Sequence, residues 1–331
     1  MGSADSVALT EEFDPHDPAI SADDLYARYD RLRAVCPITR HNPHGGYWLA
    51  TGYDEVRRAA MDSKTFSSAN GVYLPAVAEH RLPVLEMDDP EHRVWRKVLA
   101  PRFSTVAARG WQPRIRELID ELIDGFIERG RADLIHDFAE PLPLALIAEV
   151  FGLEPEQRTQ VREDALKFLD NSTGDTQAKA LLESMVARWV RLVEQRRREP
   201  AEDLITAVVQ ADFSPHAVSD VDIAWLMFAL MLAWGAANRD PARFPDPNIA
   251  KFDRPNVRDH LTFGVGTHGC IGQFIARIEL ATAIELILER LGAYELDGIA
   301  RRNGLTGGGH HHGVEYLPVR FTAGPRRGSS E

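Results

Sequence analysis

The sequence predicts a mainly α-helical single domain that spans residues 1–331 and carries small peripheral β-strands. Apolar residues recur at three- and four-residue steps in several long stretches, which is the signature of amphipathic helices. Residues 223–237 contain only apolar residues and one glycine, as expected for a core helix too short to cross a membrane. Strand patterns are short, and no linker-like composition divides the chain.

The first part of the chain predicts two helices, one strand and a long loop. Residues 71–84 lack periodicity and hold two prolines, so they are expected to form an ordered loop that carries substrate contacts; the alternative is a mobile surface loop. The acidic, polar residues 1–17 are unlike a signal peptide and are expected to be flexible. The predicted elements are a helix at 22–35 capped by Ser21, a strand at 46–51 and a helix at 53–62.

The middle and the end of the chain predict further helices and a terminal strand. Ser219 and Asp222 have the spacing of a capping box at the start of the 223–237 helix. His310, His311 and His312 cannot all face one metal ion, so this run is interpreted as a loop before a strand at 314–321. The other predicted helices are an apolar stripe at 115–127 closed by Gly130, 142–151, 156–169, 176–198 and 204–209.

Composition excludes several classes of protein. The formal net charge of -12 argues against general nucleic-acid binding, which usually requires a basic excess. No apolar run reaches the roughly 18 residues of a membrane span. Cys36 and Cys270 have no disulfide-like or CxxC spacing, which favours a reducing compartment. We therefore expect a cytoplasmic monomer that binds neither nucleic acid nor membranes.

The most informative stretch lies between residues 263 and 277. Glycines at 264, 266, 269 and 272 permit positive φ and a close approach of the backbone to a flat ligand. Cys270 precedes a helix with apolar residues at 274, 278, 281, 284, 288 and 291, and a helix N-terminus favours a thiolate. One thiolate without further zinc-spaced ligands fits a haem axial ligand better than a tetrahedral metal site.

This run resembles the haem-binding signature of the cytochrome P450 family at every defining position. The resemblance implies that Cys270 is the thiolate ligand to the iron of haem b and that His268 points towards a haem propionate. It further implies that Phe263 packs near the thiolate and the macrocycle. The small residues that would let hydrogen-bond donors approach the sulfur are Gly264, Gly266 and Gly272.

A second motif supports the same cofactor. The sequence Asp89-Pro90-Glu91 suits the first turn of a helix, on which His92 and Arg96 project from one face. By itself such a pair is more often a solvated face. The pattern is similar to the P450 helix whose histidine and arginine hold the haem propionates, which need cationic or donor partners in an apolar cavity.

Two features concern partners. Residues 91–116 carry seven basic residues against Glu91 alone, which predicts either a docking patch for ferredoxin or a solvated helix face. The resemblance to cytochromes P450 implies that the 71–84 loop covers the substrate pocket. The apolar side chains of this loop then suggest a small apolar substrate; they are Val72, Tyr73, Leu74, Val77 and Leu82.

The chain departs from the family pattern after the central helix. Residues 230–234 pass almost directly into 235–241, which resemble the family's pre-meander segment, so a deletion is placed near 233–236. The missing part would hold half of the central helix, the acid and threonine of oxygen activation, and the Glu-x-x-Arg helix that normally pairs with Arg254. Three explanations remain: a natural deletion with altered chemistry, a degenerate haem protein, or an ordinary enzyme whose sequence lacks a segment here.

The expected function is that of a haem-thiolate monooxygenase that hydroxylates or epoxidises a small apolar molecule. Electrons would come from ferredoxin and ferredoxin reductase. Because the usual acid and threonine are absent, no residue is assigned to catalysis beyond the haem ligands. The alternative is a haem-binding or ligand-sensing protein of the same fold without turnover.

Overall fold

The computed structural model describes residues 12–17, 19–72, 74, 80–171, 176–230, 239–247, 249–302 and 313–328. Within these residues the chain is largely helical, which confirms the predicted fold class. The helices are α1 Ala22–Val35, α2 Tyr53–Met61, α3 Glu91–Leu99, α4 Thr105–Asp124, α5 Pro141–Val150, α6 Pro155–Asn171, α7 Thr176–Arg198, α8 Leu204–Val209, α9 Asp220–Ala229 and α10 Gln273–Leu291.

Short antiparallel strands lie around the helical body. The sheets are β1 Ile38–His41 with β2 Tyr47–Ala50, then β3 Arg131–Asp133 with β7 Pro318–Phe321 and β4 Tyr294–Leu296, and finally β5 Arg301–Arg302 with β6 Val314–Tyr316. Ile38 lies opposite Ala50 and Ala132 lies opposite Val319. The sequence prediction missed β1, and the single strand expected at 314–321 is divided into β6 and β7.

The core is formed by two helix pairs. Helix α4 packs along α10, and α7 packs along α9. All residues of α9 from Ile223 to Ala229 are buried, as its uniformly apolar sequence predicts. Ser219 and Asp222 form the predicted capping box. The helix ends at Ala229, and the predicted continuation to 237, with the junction near 233–236, lies outside the described residues.

The N-terminal segment contacts the body. Phe13 is 2% exposed and packs with Ile20 and Leu25. The Tyr47 hydroxyl donates to the Phe13 carbonyl at 2.5 Å, and the Phe13 amide donates to His41 Nδ1 at 3.0 Å. Residues 12–17 are therefore docked, in contrast to the flexible segment expected for 1–17.

The apolar residues whose spacing predicted α10 are only partly in the core. Leu291 is 3% exposed and Ile278 packs against the core, whereas Ile284 and Leu288 are 59% and 55% exposed. The opposite face, with Ile275, Thr282 and Leu286, is buried on the side of α4. Both faces of α10 are apolar, so periodicity identifies a helix without revealing which face the body covers.

Candidate functional site

The loop before α10 presents Cys270 at the protein surface. The Cys270 amide donates to the Phe263 carbonyl at 2.7 Å, which closes the loop across seven residues. Residues Gly266–His268 form a 3₁₀ turn, and the Gly269 amide donates back to the Gly266 carbonyl at 3.1 Å. Cys270 is free and exposed, three residues before the first residue of α10. The thiol is thus accessible to a ligand.

The glycines of this loop serve different purposes. Gly264 and Gly266 have φ values of 64° and 71°, which other residues adopt with strain. A Cβ atom on Gly266 would lie 2.5 Å from the Ala60 carbonyl oxygen at the end of α2, whereas one on Gly264 would have only ordinary contacts. Gly272 has an ordinary φ, and its Cβ would lie 3.9 Å from the Cys270 sulfur. Gly266 therefore packs the loop onto α2.

Phe263 is held by polar neighbours. The Arg277 guanidinium lies over its ring at 4.8 Å, and the His260 ring meets it edge-on at 6.1 Å. This arrangement fixes the ring at the start of the loop, where its carbonyl receives the Cys270 amide.

The structure brings the second motif against the cysteine loop. His92 lies in the first turn of α3, is 2% exposed, and has its ring 4.5 Å from that of His268. Arg96 follows one turn later, is half-buried, and donates from Nη2 to the Gly269 carbonyl. Residues about 170 positions apart in sequence thus form one cluster with Cys270 at its edge.

Several buried nitrogens of this cluster lack a hydrogen-bond partner. They are both ring nitrogens of His92 and Nε2 of His268. The nearest carboxylate oxygen to His92, on Asp89, is 3.6 Å from Nδ1. Buried polar groups are normally paired, so this cluster is arranged for an acceptor from outside the chain. An anionic group such as a propionate would satisfy these donors together with Arg96, and the residues present therefore fit haem.

Burial controls the charge of the cluster. Desolvation lowers the pKa of His92 to about 4, and the positive charges of His268 and Arg96 act in the same direction. Desolvation also lowers the pKa of His268, opposed by its hydrogen bond to the backbone of Val84 and by the carboxylates of Asp88 and Asp89. Without an anion the histidines are held neutral, so an anionic ligand would favour their protonation.

Two acidic residues that the sequence analysis missed organise the surroundings. Asp88 accepts from the Ser67 hydroxyl at 2.5 Å and from the Ser68 amide at 3.1 Å. Glu86 is buried and accepts from the amides of Val72 and Leu82 at 2.9 and 2.8 Å. The Glu86 carboxylate thus holds Val72 and Leu82 together, and Asp88 holds Ser67 and Ser68 beside the start of α3. The available signal was an acid within an apolar run, since such a group needs donors.

The apolar residues expected to roof a pocket are described in part. Leu82 is 1% exposed and belongs to the core, and Val72 packs against that core. Tyr73 and Val77 lie outside the described residues. A cleft of about 540 Å³ at β4 and β7 and one of about 220 Å³ before α9 are lined by none of His92, Arg96, His268 and Cys270.

Carboxylates from other parts of the chain neutralise some of the basic residues at 91–116. Arg93 pairs with Asp89 at 2.5 Å, and Arg116 pairs with Glu285 at 2.6 Å. Arg114 contacts three carboxylates at 2.8–2.9 Å, on Glu117, Glu121 and Glu149. These acids lie outside the window in which the charges were counted. The exposed basic residues for which the described part contains no ion pair are Lys97, Arg102 and Arg109.

Arg254 makes no ion pair among the described residues. Its guanidinium instead donates to the backbone carbonyls of Asp246 and Ile249 at 2.7 and 2.9 Å, and to that of Pro245. Arg254 therefore holds the backbone of Pro245, Asp246 and Ile249 together.

In the described part of the chain no cluster of three His, Cys, Asp or Glu side chains is placed to hold a metal ion. His310–His312 lie outside that part. Among the described helices, none has both the length and the apolar character needed to cross a membrane.

Comparison with known proteins identifies relatives of one kind. The family model for cytochrome P450 matches residues 229–296, which include the cysteine loop and α10. Cytochrome P450 107B1 of Saccharopolyspora erythraea is 27% identical over 393 positions, covering 90% of this chain and 95% of that protein. The monooxygenase PikC of Streptomyces venezuelae is 28% identical over 393 positions, covering 93% of each chain.

Solved structures agree with these relatives. The myxobacterial cytochrome P450 CYP267B1, determined with myristic acid, superposes with a TM-score of 0.76 at 27% identity and covers 92% of this chain and 98% of its own. The polyketide-synthase cytochrome P450 PksS of Bacillus subtilis has a TM-score of 0.79 at 22% identity, covering 94% and 100%. The fold is therefore that of the haem-dependent monooxygenases.

In sequence and fold the chain is therefore similar to bacterial cytochromes P450, and this similarity supports an oxidoreductase with a haem cofactor. Its alignments with relatives extend over 393 positions, whereas the chain has 331 residues. Those alignments must therefore pass over positions that this chain lacks.

Proposed function

We propose that this chain is a haem-thiolate monooxygenase in which Cys270 ligates the iron of haem b. The observation that carries the proposal is the exposed Cys270 thiol, beside a buried cluster of unpaired histidine nitrogens that fits an anionic partner. When bound, haem supplies the redox chemistry that no protein side chain provides.

The residues of this chain would bind and orient that group. The haem propionates would accept hydrogen bonds from His92, His268 and Arg96. Their negative charge would also offset the cost of burying protonated histidines. The 263–270 loop would hold the sulfur in place, because the Phe263 carbonyl fixes the Cys270 amide. Phe263, locked by Arg277, would shield one side of the thiolate.

Spectroscopy of the reduced carbon monoxide complex tests the ligand. The chain should have the thiolate signature, and Cys270→Ser should abolish it, since the thiolate is the proposed donor. Cys36→Ser is the matched control, because Cys36 is also free and exposed. A Cys270→Ser variant that keeps the signature would refute the assignment. A pyridine haemochrome spectrum of the extracted cofactor would distinguish haem b from other haems.

Haem retention tests the propionate cluster. Loss of a hydrogen bond to a charged group costs about 1.5–3 kcal/mol, so Arg96→Ala should weaken haem binding roughly 10- to 100-fold. Arg93→Ala is the control, because Arg93 lies three residues earlier on the same helix with its side chain 77% exposed. Equal loss of haem in both variants would contradict a specific role for Arg96.

The reaction we propose is hydroxylation or epoxidation of a small apolar molecule. Support comes from the relatives, which include a mycinamicin IV hydroxylase/epoxidase of Micromonospora griseorubida, 27% identical over 360 positions.

Electrons would come from a ferredoxin docking near Lys97, Arg102 and Arg109. Lys97→Glu should then raise the KM for ferredoxin several-fold at low salt and less at high salt.

A second candidate is a haem-binding protein that senses a ligand without turnover. It is favoured by the positions that relatives have and this chain lacks, because they would contain the acid and threonine of oxygen activation. Oxygen consumption with reduced ferredoxin and compounds that shift the haem spectrum distinguishes the two functions. Consumption coupled to product formation supports the monooxygenase, and a spectral shift without consumption supports the sensor.

A further inference from the structure

The N-terminal segment is held by a hydrogen-bond acceptor that a proton would remove. This segment, residues 12–17, lies against the hairpin of β1 and β2, where the Phe13 amide donates to His41 Nδ1 at 3.0 Å. His41 is 1% exposed and Phe13 is 2% exposed. A backbone amide can only donate, so His41 Nδ1 must carry a lone pair for this bond to exist.

The second ring nitrogen of His41 defines the rest of its hydrogen bonding. Nε2 lies 2.8 Å from the Thr39 hydroxyl oxygen, and Thr39 is 4% exposed. Because Nδ1 accepts from Phe13, the one proton of the neutral ring is on Nε2 and is donated to Thr39. The docked segment therefore requires neutral His41 in this tautomer, and a second proton has no acceptor at Nδ1.

The surroundings of His41 disfavour its charged form. Desolvation by burial lowers the pKa of His41, and the negative charge of Glu12 opposes this effect without cancelling it. A Glu12 carboxylate oxygen is 3.8 Å from Nδ1 and accepts from the Asn42 amide at 2.7 Å. The other ionisable side chains on the elements around His41 and Phe13 are Asp14 of the segment, Tyr29 of α1, Arg40 of β1, which is exposed, and Tyr47 of β2.

Two of these groups have hydrogen bonds of their own. The Asp14 carboxylate accepts from His44 Nε2 at 2.8 Å, and the Tyr47 hydroxyl donates to the Phe13 carbonyl at 2.5 Å. Glu12 is thus the carboxylate that a proton on His41 Nδ1 would face.

The same segment reaches the 71–84 loop. His16 Nε2 donates to the Leu74 carbonyl, and the His16 ring lies 4.5 Å from that of His44. The segment therefore connects the hairpin to this loop, and its release would also remove the contact at Leu74.

We propose that His41 is a pH-sensitive anchor, which holds the N-terminal segment while its ring is neutral and releases it when the ring takes up a proton. A proton on Nδ1 would face the Phe13 N–H, so the hydrogen bond would be lost and a charge would be buried. Release of the segment lets water reach the charged ring. Docking is therefore complete above the ordinary histidine pKa of about 6.5 and weakens as the pH falls below it. The anchor is independent of the proposed haem chemistry.

Hydrogen exchange of residues 12–17 in the full chain tests the anchor. A free peptide of the same sequence corrects for the intrinsic exchange rate at each pH. Release takes up one proton, so we expect the protection of the Phe13 amide to fall about tenfold between about pH 7.5 and 5.5.

Two histidine variants identify the group that titrates. His41→Asn keeps an acceptor near the position of Nδ1 but does not titrate, so its protection should be the same at both pH values. His44→Asn is the matched control, because His44 binds Asp14 of the same segment and its φ of 55° suits asparagine. This control should retain the tenfold fall.

Nuclear magnetic resonance of the His41 ring provides a direct measurement that also holds if His41→Asn fails to dock. Histidine labelled with nitrogen-15 reports which ring nitrogen carries the proton, and the His41 signals are those that His41→Asn lacks. We expect a neutral ring with its proton on Nε2 at about pH 7.5.

Three outcomes would overturn the anchor. The first is a protection of Phe13 that is equal at both pH values. The second is a fall that persists in His41→Asn or disappears in His44→Asn, since another group would then titrate. The third is a proton on His41 Nδ1 at about pH 7.5, because the Phe13 amide would then have no acceptor there.

Discussion

Replacing Gly266 by alanine probes the contact between the cysteine loop and α2. Gly266 has a φ of 71°, and the left-handed conformation costs a residue with a Cβ atom roughly 1–2 kcal/mol. The new Cβ would also lie 2.5 Å from the Ala60 carbonyl oxygen and 3.2 Å from the Met61 Cα. Both are backbone atoms, so the loop or the helix end must shift, at a further cost of about 1–3 kcal/mol.

Two other glycines of the loop are matched controls. Gly264→Ala has the same backbone strain at a φ of 64° but no close contact, so it should lose only the first part, roughly 1–2 kcal/mol. Gly272→Ala has neither strain nor clash and should change the free energy of unfolding by less than about 0.5 kcal/mol.

Denaturant unfolding of the haem-loaded variants measures these differences. We expect Gly266→Ala to lose about 2–5 kcal/mol, more than Gly264→Ala, and Gly272→Ala to resemble the parent. Equal losses at positions 264 and 266 would refute the role assigned to α2. They would indicate that positive φ alone explains both glycines.

Three further predictions concern buried polar groups. Burial raises the pKa of Glu279 from 4.5 to about 7, so the folded chain should lose about 3 kcal/mol of stability as the pH rises from about 4.5 through 7. Urea unfolding at a series of pH values measures this slope, and Glu279→Gln should remove it. Asp240 accepts from the amides of Tyr53 and Ala242 at 2.6 and 2.9 Å, so Asp240→Asn should lower the free energy of unfolding by about 1–3 kcal/mol in thermal unfolding. The exposed Asp54→Asn should change it little, and equal effects of the two variants would contradict this role for Asp240. For the buried pair Arg196–Asp203, Asp203→Leu alone should lose about 3–5 kcal/mol of stability, and Arg196→Met with Asp203→Leu should lose less, the remaining loss reflecting the α8 N-cap in which Asp203 accepts from the Thr206 amide. With Arg196→Met as the second single variant, losses that simply add in the double variant would exclude coupling.

Helix positions were predictable where local signals agree. Ser21 caps α1 through the Asp24 amide, and Ser219 with Asp222 caps α9, so both starts follow from residue types and spacing. The predicted limits of α7 and α8 are also correct. Such signals act within a few residues, and the sequence contains them in full.

Tertiary relations were predictable only in part. The proximity of His92 and Arg96 to the cysteine loop was expected from family resemblance, and the structure places them there. The role of Gly266 against α2 was not foreseen, because residues about 200 positions apart leave no local pattern. Which apolar residues of α10 are buried was likewise not predictable, since only the arrangement of neighbouring helices decides which of its faces they cover.

Asp240 also ties the described residues after α9 to the N-terminal half of the protein, because its carboxylate accepts from the first turn of α2. Helix α9 is anchored separately, since it is buried against α7. The two described flanks of residues 231–238 are therefore held by different parts of the chain, so a change in one flank can leave the other in place.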